Sequence, residues 1–352
     1  MRILVTGGAG FIGSHLVEYL LARGDEVIVL DDLSTGSLAN LGSLRDNDRL
    51  SVTVGSILDR ALVGALVRGV DRVYHLAAAV GVRLIVDRPL SSLRTNIHGT
   101  ENVLDACAEH DVALLLASTS EIYGKNTADA LREDADRILG SPLKSRWTYA
   151  AAKGIDESFA HAYWREHGLR VSIVRLFNTV GPRQTGRYGM VVPNLVGQAL
   201  RGQPLTVFGD GQQTRCFSYV GDIVPAVVRI AEEPRSIGNA YNLGGAEEVA
   251  IADLAYRVLR ITKSRSTITF VPYEDAYPEG FEDMLRRVPD NSRAHALVGF
   301  TPTTRLEEII GVVAEDLAAR AGEGVHTTRP FESGRHPDPA LRTRPAHALV
   351  ES

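Results

Sequence analysis

Two cysteines in 352 residues, Cys107 and Cys216, are too few and too far apart for a disulfide framework and fit a reducing compartment. A run of about 18 apolar residues is also missing, so the sequence predicts no membrane-spanning helix. The N-terminus shows no secretory leader, because its apolar run, Ile3 to Val5, feeds straight into a glycine turn. Basic blocks and aromatic-basic stripes are missing too, and the net charge is −5, which argues against nucleic acid as a partner. Together these absences predict a cytoplasmic location with no membrane or nucleic-acid partner. What is present is a 44% apolar fraction, ample for a large core. The chain is too long for one unit of roughly 150 residues, so two lobes are expected.

Short β-branched runs alternate with helical patterns through the first half of the chain. Strands are predicted over Arg2–Thr6, Glu26–Leu30, Leu50–Val54, Arg72–Leu76, Val112–Ala117 and Arg170–Arg175. Helices are predicted over Phe11–Arg23, Leu90–Glu109 and Thr148–His167. This alternation implies an α/β fold with a Rossmann-type doubly wound parallel sheet. From Phe177 onward, Gly and Pro punctuate the chain and the elements become short. The expected division is 1–176 for nucleotide binding, 177–321 for a smaller mixed α/β substrate-binding lobe with some return to the sheet, and 322–352 for a basic tail. That tail is rich in Pro, His and Arg and adds no core.

The first strand runs into Gly7-Gly8-Ala9-Gly10-Phe11-Ile12-Gly13, which opens the first helix. Glycines let the backbone turn sharply and approach a pyrophosphate, and the helix N-terminus offers free N–H groups and a positive dipole end. The second strand ends at Asp31. A carboxylate there can accept both ribose hydroxyls of an adenosine and would repel a 2′-phosphate, which favours NAD over NADP. Strand, turn, helix and acid in this order make the motif far more specific than a bare glycine pattern.

Tyr149 and Lys153 share one helix face at i, i+4. A lysine ammonium beside a phenol is expected to lower the tyrosine pKa, and a phenolate near a sugar hydroxyl can take its proton while hydride leaves the same carbon. Ser118-Thr119-Ser120 follows an apolar strand at the carboxyl edge of the sheet, where doubly wound folds bind ligands. His75, at a strand end before an apolar run, reads as a packed imidazole rather than a catalytic one. His161 and His167 lack ligand partners, so no metal site is expected.

These motifs resemble the extended short-chain dehydrogenases that act as nucleotide-sugar epimerases, dehydratases and decarboxylases. The resemblance runs from Met1 to about Leu317. It includes His75-Leu76-Ala77-Ala78, Thr95-Asn96, Thr119-Ser120-Glu121 with Tyr123-Gly124, Arg175-Leu176-Phe177-Asn178, Gly181-Pro182-Arg183, Leu205 to Gly211 and Gln213-Thr214-Arg215. It implies that Gly7, Gly10, Phe11, Ile12, Gly13, Asp31, Ser56, Ile57, Leu76, Ala77, Asn96, Tyr149 and Lys153 surround NAD. It implies a UDP-sugar held by Asn178, Val192, Thr206, Phe208, Gln213 and Arg215, with Arg215 on the diphosphate. Members of the family pair the two long helices, 90–109 and 148–167, across a two-fold, so a homodimer is expected. One departure is Gly55-Ser56-Ile57, where the family often has Gly-Asp-Ile.

The pair after Thr119 narrows the branch. Dehydratases usually carry Asp-Glu there; Ser120-Glu121 resembles UDP-glucuronate decarboxylases, both the UDP-xylose synthase type and the decarboxylase domain of the lipid A-modifying enzyme. Leu139 to Pro142 with Lys144 and Arg146-Trp147 resembles the latter. Arg287-Val288-Pro289-Asp290 stands where decarboxylases carry a catalytic arginine, although neighbouring Arg286 leaves the register open by one residue. The implied catalytic set is therefore Thr119, Ser120, Glu121, Tyr149, Lys153 and Arg287. The implied product is UDP-xylose, UDP-4-keto-xylose or both. The alternative is a UDP-glucuronate or UDP-glucose 4-epimerase, which shares every cofactor motif; Ala150-Ala151-Ala152 between Tyr149 and Lys153 is epimerase-like.

Overall fold

The computed structural model describes residues 1–80, 89–186, 189–276, 282 and 284–322. The expected tail lies outside these residues except for Gly322, which ends the last helix. Seven parallel strands form the central sheet: β1 Arg2–Thr6, β2 Glu26–Asp31, β3 Leu50–Val54, β4 Arg72–His75, β5 Ala113–Thr119, β6 Val171–Leu176 and β7 Ala240–Leu243. Their spatial order is β7-β6-β5-β4-β1-β2-β3. The order reverses between β1 and β4, and the crevice outside the carboxyl ends of those strands is where doubly wound sheets bind ligands.

Apart from the edge strand β3, the strands are buried on both faces, which explains why they read as apolar runs rather than alternating ones. Helix α1 (Phe11–Ala22) packs on one face with the helix Val220–Glu232. Helices α2 (Arg60–Val67), α3 (Pro89–Glu109) and α4 (Thr148–His167) cover the other. Each core Leu, Ile or Val removed from water contributes about 1.5–3 kcal/mol. A third apolar cluster joins Val191–Leu200, Ile251–Thr262 and Leu306–Gly322, away from the sheet.

Several expected boundaries shift by a residue or two, and two of the shifts take in residues of the site. β5 continues two residues past Ala117, because Ser118 and Thr119 stay paired with Arg175 and Leu176 of β6. β2 takes in Asp31, which pairs with Val54. Both extensions carry polar residues, and the strands' hydrogen bonding, not their hydropathy, sets where they end. No helix among the described residues is long and apolar enough to cross a membrane.

Candidate active site

The glycine turn is a cradle shaped by what it excludes. Gly7 has φ +73°, and a Cβ there would meet the Ala77 amide nitrogen at 2.7 Å. A Cβ on Gly13 would run into the Gly7 carbonyl oxygen. Helix α1 begins just after Gly10, which supplies no side-chain cap, so the N–H groups of its first turn are placed to take an anion. Asp31 fixes the turn from the end of β2: its carboxylate accepts from the Ala9 amide at 2.9 Å and the Leu33 amide at 2.8 Å. Burial nevertheless pushes its carboxyl above the usual range.

A cavity of about 340 Å³ opens on this cradle. Gly7, Gly10, Phe11, Ile12, Gly13, Asp31, Ile57, Leu76 and Ala77 line it, together with Thr119, Ser120, Tyr149 and Lys153. Two of the expected residues, Asn96 and Ser56, are not among its lining. Asn96 spends both ends of its amide on the Ala79 backbone, at 2.7 and 3.2 Å, and Thr95 lines the cavity instead. Ser56 turns its hydroxyl onto the Leu58 amide at 3.2 Å, a local turn, while its neighbours Gly55 and Ile57 face the cavity.

A second cavity, about 470 Å³, adjoins the first. Asn178, Val192, Thr206, Phe208, Gln213 and Arg215, the residues expected around a UDP-sugar, all line it. Gln213 Nε2 donates to the Phe208 carbonyl at 3.0 Å, and Asn178 Nδ2 to the Cys216 carbonyl at 3.0 Å. Glu121, Tyr149, Asn178 and Arg287 line both cavities and so mark where the two meet.

Arg287, not Arg286, faces this junction. The short strand Arg286–Arg287 pairs in parallel with Thr214–Cys216, setting Arg287 beside Arg215 and Arg286 beside Thr214. Side chains alternate along a strand, so the two arginines must point to opposite faces. Arg286 turns outward to Glu248 at 2.8 Å, and Arg287 is 8% exposed.

Arg287 Nη1 donates to Glu121 Oε1 at 2.7 Å and to Ser120 Oγ at 3.3 Å. Arg146, three residues before Tyr149, donates to Glu121 Oε2 at 2.5 Å. Burial alone would raise the Glu121 pKa, but Arg287, Arg146 and Arg215 outweigh it and hold the carboxyl down at about 2. Three guanidinium groups around one carboxylate leave a net positive surround, suited to an anionic substrate.

The catalytic pair departs from expectation. Lys153 Nζ lies 3.1 Å from the carboxylate of Asp156, one turn further along α4, and both are buried. The Tyr149 phenol is pushed up rather than down, first by burial, then by Glu121 and Asp156; a hydrogen bond with Thr119 opposes the rise. Arg146 and Asp156 are site groups the sequence reading missed as such. A basic residue three before the tyrosine and an acid three after the lysine look like ordinary helix-surface charges until the fold buries them.

Below the junction, Glu157 accepts from Ser118 Oγ at 2.5 Å and from Arg175 at 2.7 Å, and Arg175 also reaches the Tyr123 hydroxyl at 2.8 Å. This network ties β5, β6 and α4 together and fixes the height of Thr119 against Tyr149.

The sequence matches the family described as NAD dependent epimerase/dehydratase over residues 3–244. It is 40% identical over 308 residues to UDP-N-acetyl-alpha-D-glucosaminuronate decarboxylase from Bacillus cytotoxicus, covering 87% of this chain and 94% of that protein. It is 37% identical over 307 residues to UDP-glucuronic acid decarboxylase 1 from Danio rerio, covering 87% and 70%. Among solved structures, UDP-glucuronic acid 4-epimerase from Bacillus cereus, in complex with UDP-glucuronic acid and NAD, superposes with a TM-score of 0.82 at 31% identity, covering 91% of this chain and 100% of that one. The uncapped helix, the cradle that side chains would fill and the acid at the end of β2 fit the cofactor named in that family. The chain belongs to the NAD dependent epimerase/dehydratase family.

Proposed function

We propose that the protein decarboxylates UDP-glucuronic acid through a 4-keto sugar, releasing UDP-xylose, UDP-4-keto-xylose or both. The observation that carries this reading is the Arg287–Glu121 pair at the junction of the two cavities, beside Tyr149. A buried guanidinium at the oxidation site is what a sugar carboxylate needs. The names of the two decarboxylase relatives support it.

NAD, when bound, supplies hydride acceptance from the sugar C4 and, for a complete cycle, hydride return. Gly7, Gly10, Phe11, Ile12 and Gly13 would hold its pyrophosphate and Asp31 its adenosine ribose. Tyr149 takes the proton of the C4 hydroxyl, with Thr119 bonded to the phenol. The C4 ketone turns the C6 carboxylate into a β-keto acid. The C5–C6 bond then breaks, its electron pair passes into a C4–C5 enolate, and carbon dioxide leaves. Arg287 turns the carboxylate out of the ring plane and afterwards holds the group that returns a proton to C5. Glu121, kept ionised by its arginines, repels a carboxylate more than neutral carbon dioxide. Arg215, Thr206, Phe208, Gln213, Val192 and Asn178 bind the UDP moiety.

In this reading residues 1–176 hold the cofactor and 177–321 the nucleotide sugar, and the chain works as a cytoplasmic homodimer joined through α3 and α4. The 40% identity to the relative named for a 2-acetamido uronate favours a second substrate of the same chemistry, UDP-N-acetylglucosaminuronate. Carbon dioxide release from either uronate in the presence of NAD tests the proposal. Intact hexuronate with inverted C4 and no gas would establish the 4-epimerase alternative instead.

A further inference from the structure

Helix α4 carries a buried charge that the scheme above leaves unused. Asp156 has no exposed surface, and its carboxylate lies 3.1 Å from Lys153 Nζ. Taking a carboxylate out of water costs several kcal/mol unless a counter-charge and hydrogen bonds compensate. Lys153 supplies the first. Burial pushes the Asp156 carboxyl above its usual range, and Lys153 and then Thr100 of α3 pull it back toward the charged form. Glu157, next along α4, pushes the other way, although Arg175 takes up its charge at 2.7 Å.

A line of polar groups runs from Ala77 and Thr6 through His75 to Thr100 of α3. The Ala77 amide donates to Thr6 Oγ1 at 3.3 Å, Thr6 Oγ1 lies 2.7 Å from His75 Nδ1, and His75 Nε2 lies 3.1 Å from Thr100 Oγ1. His75 takes part in this line as a neutral imidazole. Burial, then the Lys153 charge, hold His75 at about 3.

We propose that Asp156 is a positioning residue for C4 oxidation: its carboxylate holds the Lys153 ammonium and sets the pH range over which Tyr149 gives up its proton. The inference rests on Tyr149 acting as base, which the decarboxylase and epimerase readings share. Of the charged groups around it, Glu121 also acts on Tyr149, so Glu121 stays untouched in the test.

Asp156→Asn keeps the shape and removes the charge. The rising limb of kcat against pH then moves to lower pH by about half a unit or more, and Thr100→Val moves it the same way by less. A limb that stays in place while kcat falls equally at every pH overturns the proposal, since packing alone scales the whole profile. The pairing is read separately from thermal melts of Asp156→Asn, Lys153→Met and the double variant. A coupled pair makes the Tm loss of the double smaller than the sum of the singles; additive losses overturn it. The melts need no substrate, so a wild type that releases no carbon dioxide would count against decarboxylation while the melts still decide the pairing.

Discussion

Arg287 Nη1 donates to Glu121 Oε1 over 2.7 Å, joining residues 166 positions apart at the meeting point of two cavities. One carboxylate shared between Arg287 and Arg146 lets Arg287 turn to a substrate carboxylate without leaving Glu121 uncompensated.

Arg287→Met removes the carboxylate's partner. A hydrogen bond between charged groups contributes about 1.5–3 kcal/mol, so kcat/KM for the uronate should fall by roughly 10- to 150-fold. Arg286→Met, on the outward face of the same strand, should change it by less than about twofold. Steady-state carbon dioxide release compares the two, and equal losses would contradict the register described here.

Glu121 is held at about 2, below its unfolded value. A depressed acid contributes stability that is present above the unfolded pKa and lost as pH falls through the folded one. Wild type should therefore lose stability relative to Glu121→Gln between about pH 4.3 and pH 2, by roughly 1–3 kcal/mol, discounted for its partial exposure. Denaturant titrations across that range check it. No activity change between pH 5 and pH 9 should be traceable to Glu121.

His75 works with the opposite charge type. Its pKa is lowered to about 3, so the folded state refuses a proton that the unfolded chain accepts. Its stability contribution is complete above the unfolded value near 6.5 and declines as pH falls from there toward 3, by about 1.4 kcal/mol per unit once well below it. His75→Asn should flatten that slope. Melts from pH 7 to pH 4 that keep the same slope in the variant would contradict it.

Gly13→Ala drives a methyl into the Gly7 carbonyl. The turn must open, and NAD affinity, measured by calorimetric titration, should fall more than about tenfold, with a lower Tm.

Much of this was legible before any coordinates. The strands of the first half lie within a residue or two of their hydrophobic runs, because buried parallel strands are nearly uniform in hydropathy. The cofactor cradle follows from glycine sterics alone. Choosing between Arg286 and Arg287 required strand register, which a two-residue strand does not announce. The orientation of Lys153 toward Asp156 was hidden for a similar reason: helix spacing shows that both residues can share a side of α4, but only the packing of α4 on α3 and β5 buries them together. Asn96 bonds the Ala79 backbone, a use of its amide that a sequence motif does not distinguish from a ligand contact.

Mass spectrometry of the products formed from UDP-glucuronic acid and NAD tests the central claim most directly. The account predicts a UDP-pentose lighter by one carbon dioxide, or a UDP-4-keto-pentose lighter by one carbon dioxide and two hydrogens, absent with Tyr149→Phe. A product of unchanged mass with inverted C4 would contradict it.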